Sequence, residues 1–328
     1  MAEIAVLGAG AWGSALAIAQ AANNHKVLLW ARRPERAVEL SKQRNSAPYL
    51  PETVKFPENL TITADLAECG LAPIILVVTP AQETRKVLER LRPSGAIVLC
   101  SKGIERKTGL LMPQIAREVA PKATIFVMSG PNFASEVALG LPAAATLAGN
   151  GLSDAVSLAE QLATATFRLY PSADLTGAAL GGALKNVIAI AAGAVDGAGL
   201  GENARATITT RGLAEIARIA AAMGAERETL MGLAGLGDLM LTCSSPSSRN
   251  YSLGVALGKG QTLGEILSQR KGVSEGVDTA EAALALASRL GVEVPIISSV
   301  SSVLSGVLSL ENAISSLMSR PQPSAELR

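Results

Sequence analysis

Ile4-Ala5-Val6-Leu7-Gly8-Ala9-Gly10-Ala11-Trp12-Gly13 sets a short apolar run directly before a G-x-G-x-x-G turn, and residues 12–22 continue with helical character. Strand, glycine turn and helix, in that order, are the setting in which this pattern is specific. Each glycine has its own physical reason. Gly8 permits a tight strand-to-helix turn, Gly10 lets the backbone approach a pyrophosphate, and Gly13 lets the helix pack closely on the strand. The N–H groups at the helix start, aided by the helix dipole, then face an anion. A glycine turn without a ligand is the plainer alternative.

On either side of that turn the pattern repeats. Residues 27–30 read as a second strand, and residues 34–42 as a helix opened by Pro34. Residues 74–79 and 96–100 read as buried strands with a helix over 81–91 between them, and residues 125–128 as another strand. This rhythm predicts an α/β domain with a parallel, doubly wound (Rossmann-like) sheet. Pro48, Pro51 and Pro57 make residues 45–59 a long surface loop. After about Tyr170 the rhythm gives way to Ala/Leu-rich helical stretches at 175–194, 203–223, 227–233, 262–268, 279–290 and 296–304. The expected organisation is a dinucleotide-binding domain over residues 1–180 and an all-α C-terminal domain over 181–328. A helix carrying Lys185 lies near the boundary, and residues 320–328 form a frayed tail.

The chain has 328 residues, 48% of them hydrophobic and 17% charged, enough for about two domains with a large core. A formal net charge of +1 offers no clustered basic face, so no nucleic-acid partner is expected. With 3% aromatic residues, the core must rely on close contacts between small residues. Cys69, Cys100 and Cys243 are far apart, with no CxxC pair and no Cys/His cluster, so free thiols are expected rather than a metal site or a disulfide. His25, the only histidine, falls between a predicted helix and a predicted strand, as a surface turn residue would. Acid–base chemistry must then use another group. No secretory signal is visible, and residues 188–195, bounded by Lys185 and Asp196, are too short an apolar stretch for a membrane span. A cytoplasmic protein is expected.

The second predicted strand ends Leu29-Trp30-Ala31-Arg32-Arg33. The Asp or Glu that binds ribose hydroxyls in an NAD site is missing there, and guanidinium groups suit a 2′-phosphate. Arg32 and Arg33 therefore point to NADP(H), with NAD(H) possible; a solvated turn is the alternative. Ser101-Lys102-Gly103 and Ser129-Gly130-Pro131-Asn132-Phe133-Ala134 each follow a predicted strand, at the end that faces the ligand crevice in a doubly wound fold. Lys102 would sit beside a charged substrate or cofactor. The turn at Gly130 and Pro131 would offer free N–H groups.

Gly181 and Gly182 lie inside a predicted helix, where each costs about 1 kcal/mol relative to alanine. Something that approaches closely, such as a nicotinamide ring, would justify them. Lys185 follows one turn later on the same face. Flanked by Leu184 and Val187, it is costly unless paired. It is either half of a structural ion pair or a proton donor whose pKa is lowered by desolvation and a second lysine. Gly232-Leu233-Ala234-Gly235-Leu236-Gly237-Asp238-Leu239 carries one acid, Asp238, which either caps the next helix or serves the site. Thr242 lies one turn on. Ser247-Ser248-Arg249-Asn250 supplies the donors a phosphate needs, or is a polar surface loop.

Seven stretches then follow one another in order: GAGAWGSALA from Gly8, SKGIE from Ser101, GPNFASEVA from Gly130, ALKNVIAIAAG from Ala183, GLAGLGDLMLTC from Gly232, SRNYSLG from Ser248 and VSEGV from Val273. With them the chain resembles the bacterial NAD(P)-dependent sn-glycerol-3-phosphate dehydrogenases. The resemblance implies reversible reduction of dihydroxyacetone phosphate to sn-glycerol 3-phosphate, hydride passing between nicotinamide C4 and substrate C2. It also implies a homodimer and a place in phospholipid synthesis, as the source of the glycerol backbone. By similarity Lys185 is the catalytic acid–base, and Lys102 contacts both cofactor and substrate. Gly130, Asn132, Asp238, Ser248, Arg249 and Asn250 would hold the substrate. Trp12, Ser14, Arg32, Arg33, Ala134, Val273 and Glu275 would hold the cofactor with Gly8, Gly10 and Gly13, and Arg249 would be shared. Asn132 departs from the family, which usually has Ser or Thr there; its amide can still donate a hydrogen bond. The 3-hydroxyacid and 6-phosphogluconate dehydrogenases share this domain plan and a lysine, but the SRN and GLGD segments favour the glycerol-phosphate reading. A non-catalytic dinucleotide sensor would not need Lys102, Lys185 and Arg249 together.

Overall fold

A computed structural model describes residues 1–269 and 274–320. The chain divides into two compact units, Met1–Lys102 with Leu111–Ala179, and Gly103–Leu110 with Leu180–Arg328. The expected cofactor contact at Val273 and the expected fraying of residues 321–328 lie outside the described residues.

The first unit contains β1 (Ile4–Leu7), α1 (Ala11–Ala22), β2 (Val27–Trp30), α2 (Pro34–Gln43), β3 (Leu60–Thr63), α3 (Leu66–Cys69), β4 (Ile74–Val77), α4 (Thr84–Leu91) and β5 (Ala96–Leu99). It continues with α5 (Met112–Val119), β6 (Thr124–Ser129), α6 (Ala134–Ala138), β7 (Ala143–Gly149), α7 (Leu152–Leu162) and β8 (Phe167–Ser172). The eight strands form one sheet in the order β3-β2-β1-β4-β5-β6-β7-β8. Strands β1, β2 and β4 are buried along their whole length. That is why IAVL, VLLW and IILV read as unbroken apolar runs: an inner parallel strand has no solvent face. The order turns back at β1, which lies between β2 and β4, and ligands of doubly wound sheets bind beyond the strand ends at that reversal.

One pair departs from the expected parallel sheet. β6 and β7 run antiparallel. The helix between them, α6, has five residues and rises only about 7.5 Å. The six residues of β6 run about 20 Å, so α6 cannot carry the chain back along the strand.

The second unit is helical: α8 (Leu175–Gly197, whose first residues belong to the first unit), α9 (Gly201–Ala222), α10 (Arg227–Met231), α11 (Asp238–Ser244) and α12 (Arg249–Gly258). Then come α13 (Leu263–Gln269), α14 (Glu275–Arg289), α15 (Pro295–Leu304) and α16 (Leu310–Met318). Asp174 starts α8 by accepting the Gly177 N–H at 2.7 Å. By length and composition α8 could cross a membrane, but 89% of its apolar window is buried inside the protein, as befits a core helix. Helices α8 and α12 meet backbone to backbone. A Cβ on Gly193 would lie 2.0 Å from the Tyr251 carbonyl oxygen, and one on Gly254 would lie 2.1 Å from that of Ile190. The small-residue core expected from composition is concentrated here. Residues 103–110 are tied to α14, where Arg289 donates to the Thr108 and Gly109 carbonyls at 3.4 and 3.2 Å.

Candidate active site

In the first unit, the glycine turn caps the carboxyl end of β1. A Cβ on Gly13 would lie 1.8 Å from the Gly8 carbonyl oxygen, so packing of α1 on its own turn demands that glycine. Gly10 differs: a Cβ there would meet nothing within 4 Å. The protein gives no packing reason for its small size, whereas a closely approaching ligand does. Gly10 is also the N-cap of α1, with no side-chain cap and no acid in the first turn. The positive end of the helix is thus left to an anion. Both features fit a dinucleotide pyrophosphate.

Around this turn, Trp12 packs edge-on against Phe167, with ring centroids 6.3 Å apart. Ser14 is fully buried, and its hydroxyl hydrogen-bonds Ser46 Oγ at 2.8 Å. Arg32 and Arg33 follow β2 and are exposed. Arg33 is the N-cap of α2, and Arg32 pairs with Glu83 at 3.3 Å. Lys102 Nζ donates to the Gly130 carbonyl at 3.3 Å, which joins the segments that follow β5 and β6. Strand β7 braces that second segment. A Cβ on Gly130 would lie 2.7 Å from Ala145 Cα, and the Asn132 amide N–H donates to the Ala144 carbonyl at 3.1 Å. Asn132 thus gives one of its two amide N–H donors to β7. Its Oδ1, buried and without a partner, remains as an acceptor. Ala134 opens α6.

In the second unit, Lys185 is 7% exposed and Asp238 is completely buried. Lys185 Nζ bonds the Asp238 carboxylate and donates to Thr242 Oγ1 at 2.8 Å. The Thr242 hydroxyl donates in turn to the Asp238 main-chain carbonyl at 2.6 Å. Lys185 is therefore paired, and Asp238 does not cap α11, whose N-cap is Gly237. A π-turn, Leu233–Gly237, delivers Asp238. Single turns of π-helix are frequent at functional sites. The turn rests on Gly181, where a Cβ would lie 2.5 Å from the Ala234 carbonyl oxygen. The close approach expected at Gly181 is real, but the protein's own backbone makes it rather than a nicotinamide ring.

Residues 248–250 form a helix start rather than a loop. Ser248 caps α12 by accepting the Tyr251 N–H at 3.2 Å. Arg249 is exposed in a first turn that holds no acid. A guanidinium and a helix N-terminus both favour an anion. Asn250 Oδ1 accepts the Gly276 N–H at 3.1 Å, which ties α12 to α14, the helix that Glu275 opens.

Thr242, expected one turn after Asp238 on the same helix face, also reaches Lys185, a contact that local spacing does not show. Glu215 carries no local sequence signal; its buried carboxylate accepts the Ile296 and Ile297 N–H groups at 2.7 and 3.0 Å and caps α15. Burial pushes Glu215 up to about 7. Burial likewise pushes Cys69, Cys100 and Cys243 up to about 12, where they are inert thiols. His25 is partly exposed after α1, with Nε2 3.1 Å from the Gln161 carbonyl.

The fold and these clusters define a dinucleotide-dependent oxidoreductase with a buried lysine in its helical part. Residues 3–155 match the family model of the NAD-dependent glycerol-3-phosphate dehydrogenase N-terminus, and residues 174–315 match that of its C-terminus. A glycerol-3-phosphate dehydrogenase (NAD(P)+) of Parvibaculum lavamentivorans is 49% identical over 97% of each chain. One of Rhodospirillum rubrum is 50% identical over 97% of this chain and 93% of its own. The crystal structure of glycerol-3-phosphate dehydrogenase from Coxiella burnetii superposes with a TM-score of 0.93 at 36% identity, covering 97% of this chain and 99% of that one. The chain belongs to the NAD-dependent glycerol-3-phosphate dehydrogenase family.

Proposed function

We propose that this chain reduces dihydroxyacetone phosphate to sn-glycerol 3-phosphate, reversibly, with NADPH preferred and NADH accepted. The buried Lys185, Asp238 and Thr242 cluster carries the reading, because a charged group held inside an apolar helical unit has a clear use in moving a proton. Residues 1–180 form the cofactor domain and residues 181–328 the catalytic domain. The enzyme acts as a cytoplasmic homodimer and supplies the glycerol backbone of phospholipids.

The nicotinamide of the bound cofactor supplies a hydride to substrate C2. As that bond forms, negative charge gathers on the former carbonyl oxygen, and Lys185 Nζ gives it a proton. Asp238 compensates the buried ammonium charge. Thr242 aims it, since the hydroxyl accepts from Nζ while its own hydrogen is committed to the Asp238 carbonyl. Lys102, bonded to the Gly130 carbonyl, serves to stabilise the developing alkoxide by its charge, and Gly130 and Asn132 to hold the substrate. Arg249, Ser248 and Asn250 bind the phosphate with a guanidinium and a helix N-terminus. In the reverse direction neutral Lys185 takes the hydroxyl proton. Gly8, Gly10, Trp12, Gly13, Ser14, Arg32, Arg33, Ala134, Val273 and Glu275 hold the cofactor.

The test is NADPH oxidation with dihydroxyacetone phosphate, with NADH and a 3-oxoacid as comparison arms. Turnover should require the phosphorylated ketone. Lys185→Ala should keep NADPH binding and lose at least about 10²-fold in turnover. A wild-type protein inactive on this ketone would sink the reaction, and a near-normal Lys185→Ala would remove the lysine from its role.

A further inference from the structure

No acid ends the second strand, yet the fold brings one to it. Arg32 follows β2, and Glu83 closes the 3-10 turn Ala81–Glu83 that follows β4. Strands β2 and β4 flank β1. The two side chains therefore come from either side of the β1 end, where the glycine turn lies, and meet at 3.3 Å. Their side chains are 68% and 38% exposed. A pair so accessible is weak, and each half can exchange its partner for a ligand at little cost.

We propose that Glu83 sets the cofactor preference of this enzyme, by competing with a 2′-phosphate for Arg32 and by accepting a hydrogen bond from a free ribose 2′-hydroxyl. The proposal rests on the dinucleotide reading of the glycine turn. In doubly wound folds the adenosine ribose lies near the end of the second strand, where an acid takes its hydroxyls and an arginine takes its phosphate. Here both groups are present and neutralise each other. With NADPH, Arg32 turns from Glu83 to the phosphate, and the carboxylate is left beside a second anion. With NADH, the pair persists and the carboxylate accepts the hydroxyl. A carboxylate and a doubly charged phosphate about 6 Å apart repel by roughly tenfold in affinity in water, and by roughly threefold at ordinary ionic strength.

Fluorescence titration of reduced cofactor onto the full-length protein reads binding without turnover. Glu83→Gln should raise the NADPH-to-NADH affinity ratio by roughly threefold to tenfold, the gain shrinking as salt is added. Glu89→Gln, an exposed acid on α4, should leave the ratio alone. A ratio moved less than about twofold by Glu83→Gln, or moved equally by Glu89→Gln, overturns the assignment and leaves the dinucleotide site standing. A wild-type protein that binds neither cofactor overturns both.

Discussion

Gly181→Ala tests how the helical unit places its lysine. An added Cβ would lie 2.5 Å from the Ala234 carbonyl oxygen, 3.1 Å from its carbon and 3.2 Å from Gly235 Cα. Ordinary contact begins near 3.4 Å, so α8 and the π-turn must part by about 0.9 Å. Two effects oppose each other. Alanine gains about 1 kcal/mol of helix propensity over glycine, while overpacking costs about 1–3 kcal/mol. The obstacle is backbone rather than the flexible end of a side chain, so overpacking wins, with a net loss of up to about 2 kcal/mol. Asp238 follows the displaced turn directly and is bonded to Lys185. A misplacement near 1 Å costs up to about 10²-fold in rate. Urea unfolding should show a lower midpoint at unchanged slope, and kcat should fall roughly tenfold to hundredfold. NADPH affinity should not move. A variant about 1 kcal/mol more stable than wild type, with full kcat, would refute the idea that this glycine holds the turn in place.

Arg249→Ala should raise KM for the phosphorylated ketone roughly tenfold to hundredfold, the worth of a charge-assisted contact, and an unchanged KM would count against a phosphate contact. Glu215 is held near 7, above its ordinary 4.5, so the folded state keeps a proton that the unfolded chain has already released. Stability should therefore fall as pH rises from about 4.5 to about 7, by about 3 kcal/mol, and Glu215→Gln should flatten that slope in denaturation measured across the range. An equally steep profile in the variant would exclude Glu215 as its source. Lys185→Met combined with Asp238→Leu should leave stability equal or higher while abolishing turnover; a large loss of stability would mean that the pair is chiefly structural.

The parts legible from sequence are those whose chemistry is local. Strands β1, β2, β4 and β5 announce themselves as apolar runs because parallel strands are buried on both faces. Strand β7, AAATLAG, hides because alanine carries little β signal, and β8 is masked by Pro171. Helix α12 is not among the helical stretches the sequence predicts, and Gly254 and Gly258 weaken its helical signal. They are there because α8 passes too close for any side chain. Lys185 stood out as a misfit in an apolar helix. Its pairing with Asp238 did not, because that acid is 53 residues away and reaches it only through tertiary packing. Glu83 lies 51 residues from Arg32 and was invisible for the same reason.

The buried pair is hard to explain as a device for stability. Taking two charges out of water usually costs more than their attraction returns, and apolar residues of similar volume often serve the fold better. Most of the side chains that the helical unit buries elsewhere are apolar, chiefly alanine, leucine, isoleucine and valine. The lysine and carboxylate are nevertheless held by a wide turn, a threonine bridge and a glycine contact, three devices that fix position rather than fill space. Close-packed backbone leaves little room to adjust. A proton donor needs that property, because its reach to the accepting oxygen must be right within a fraction of an ångström. The glycines of this chain thus divide by purpose. Gly10 leaves open space at the start of α1, whereas Gly181 and the α8–α12 glycines let backbone meet backbone, Gly181 at the turn that carries the lysine's partner.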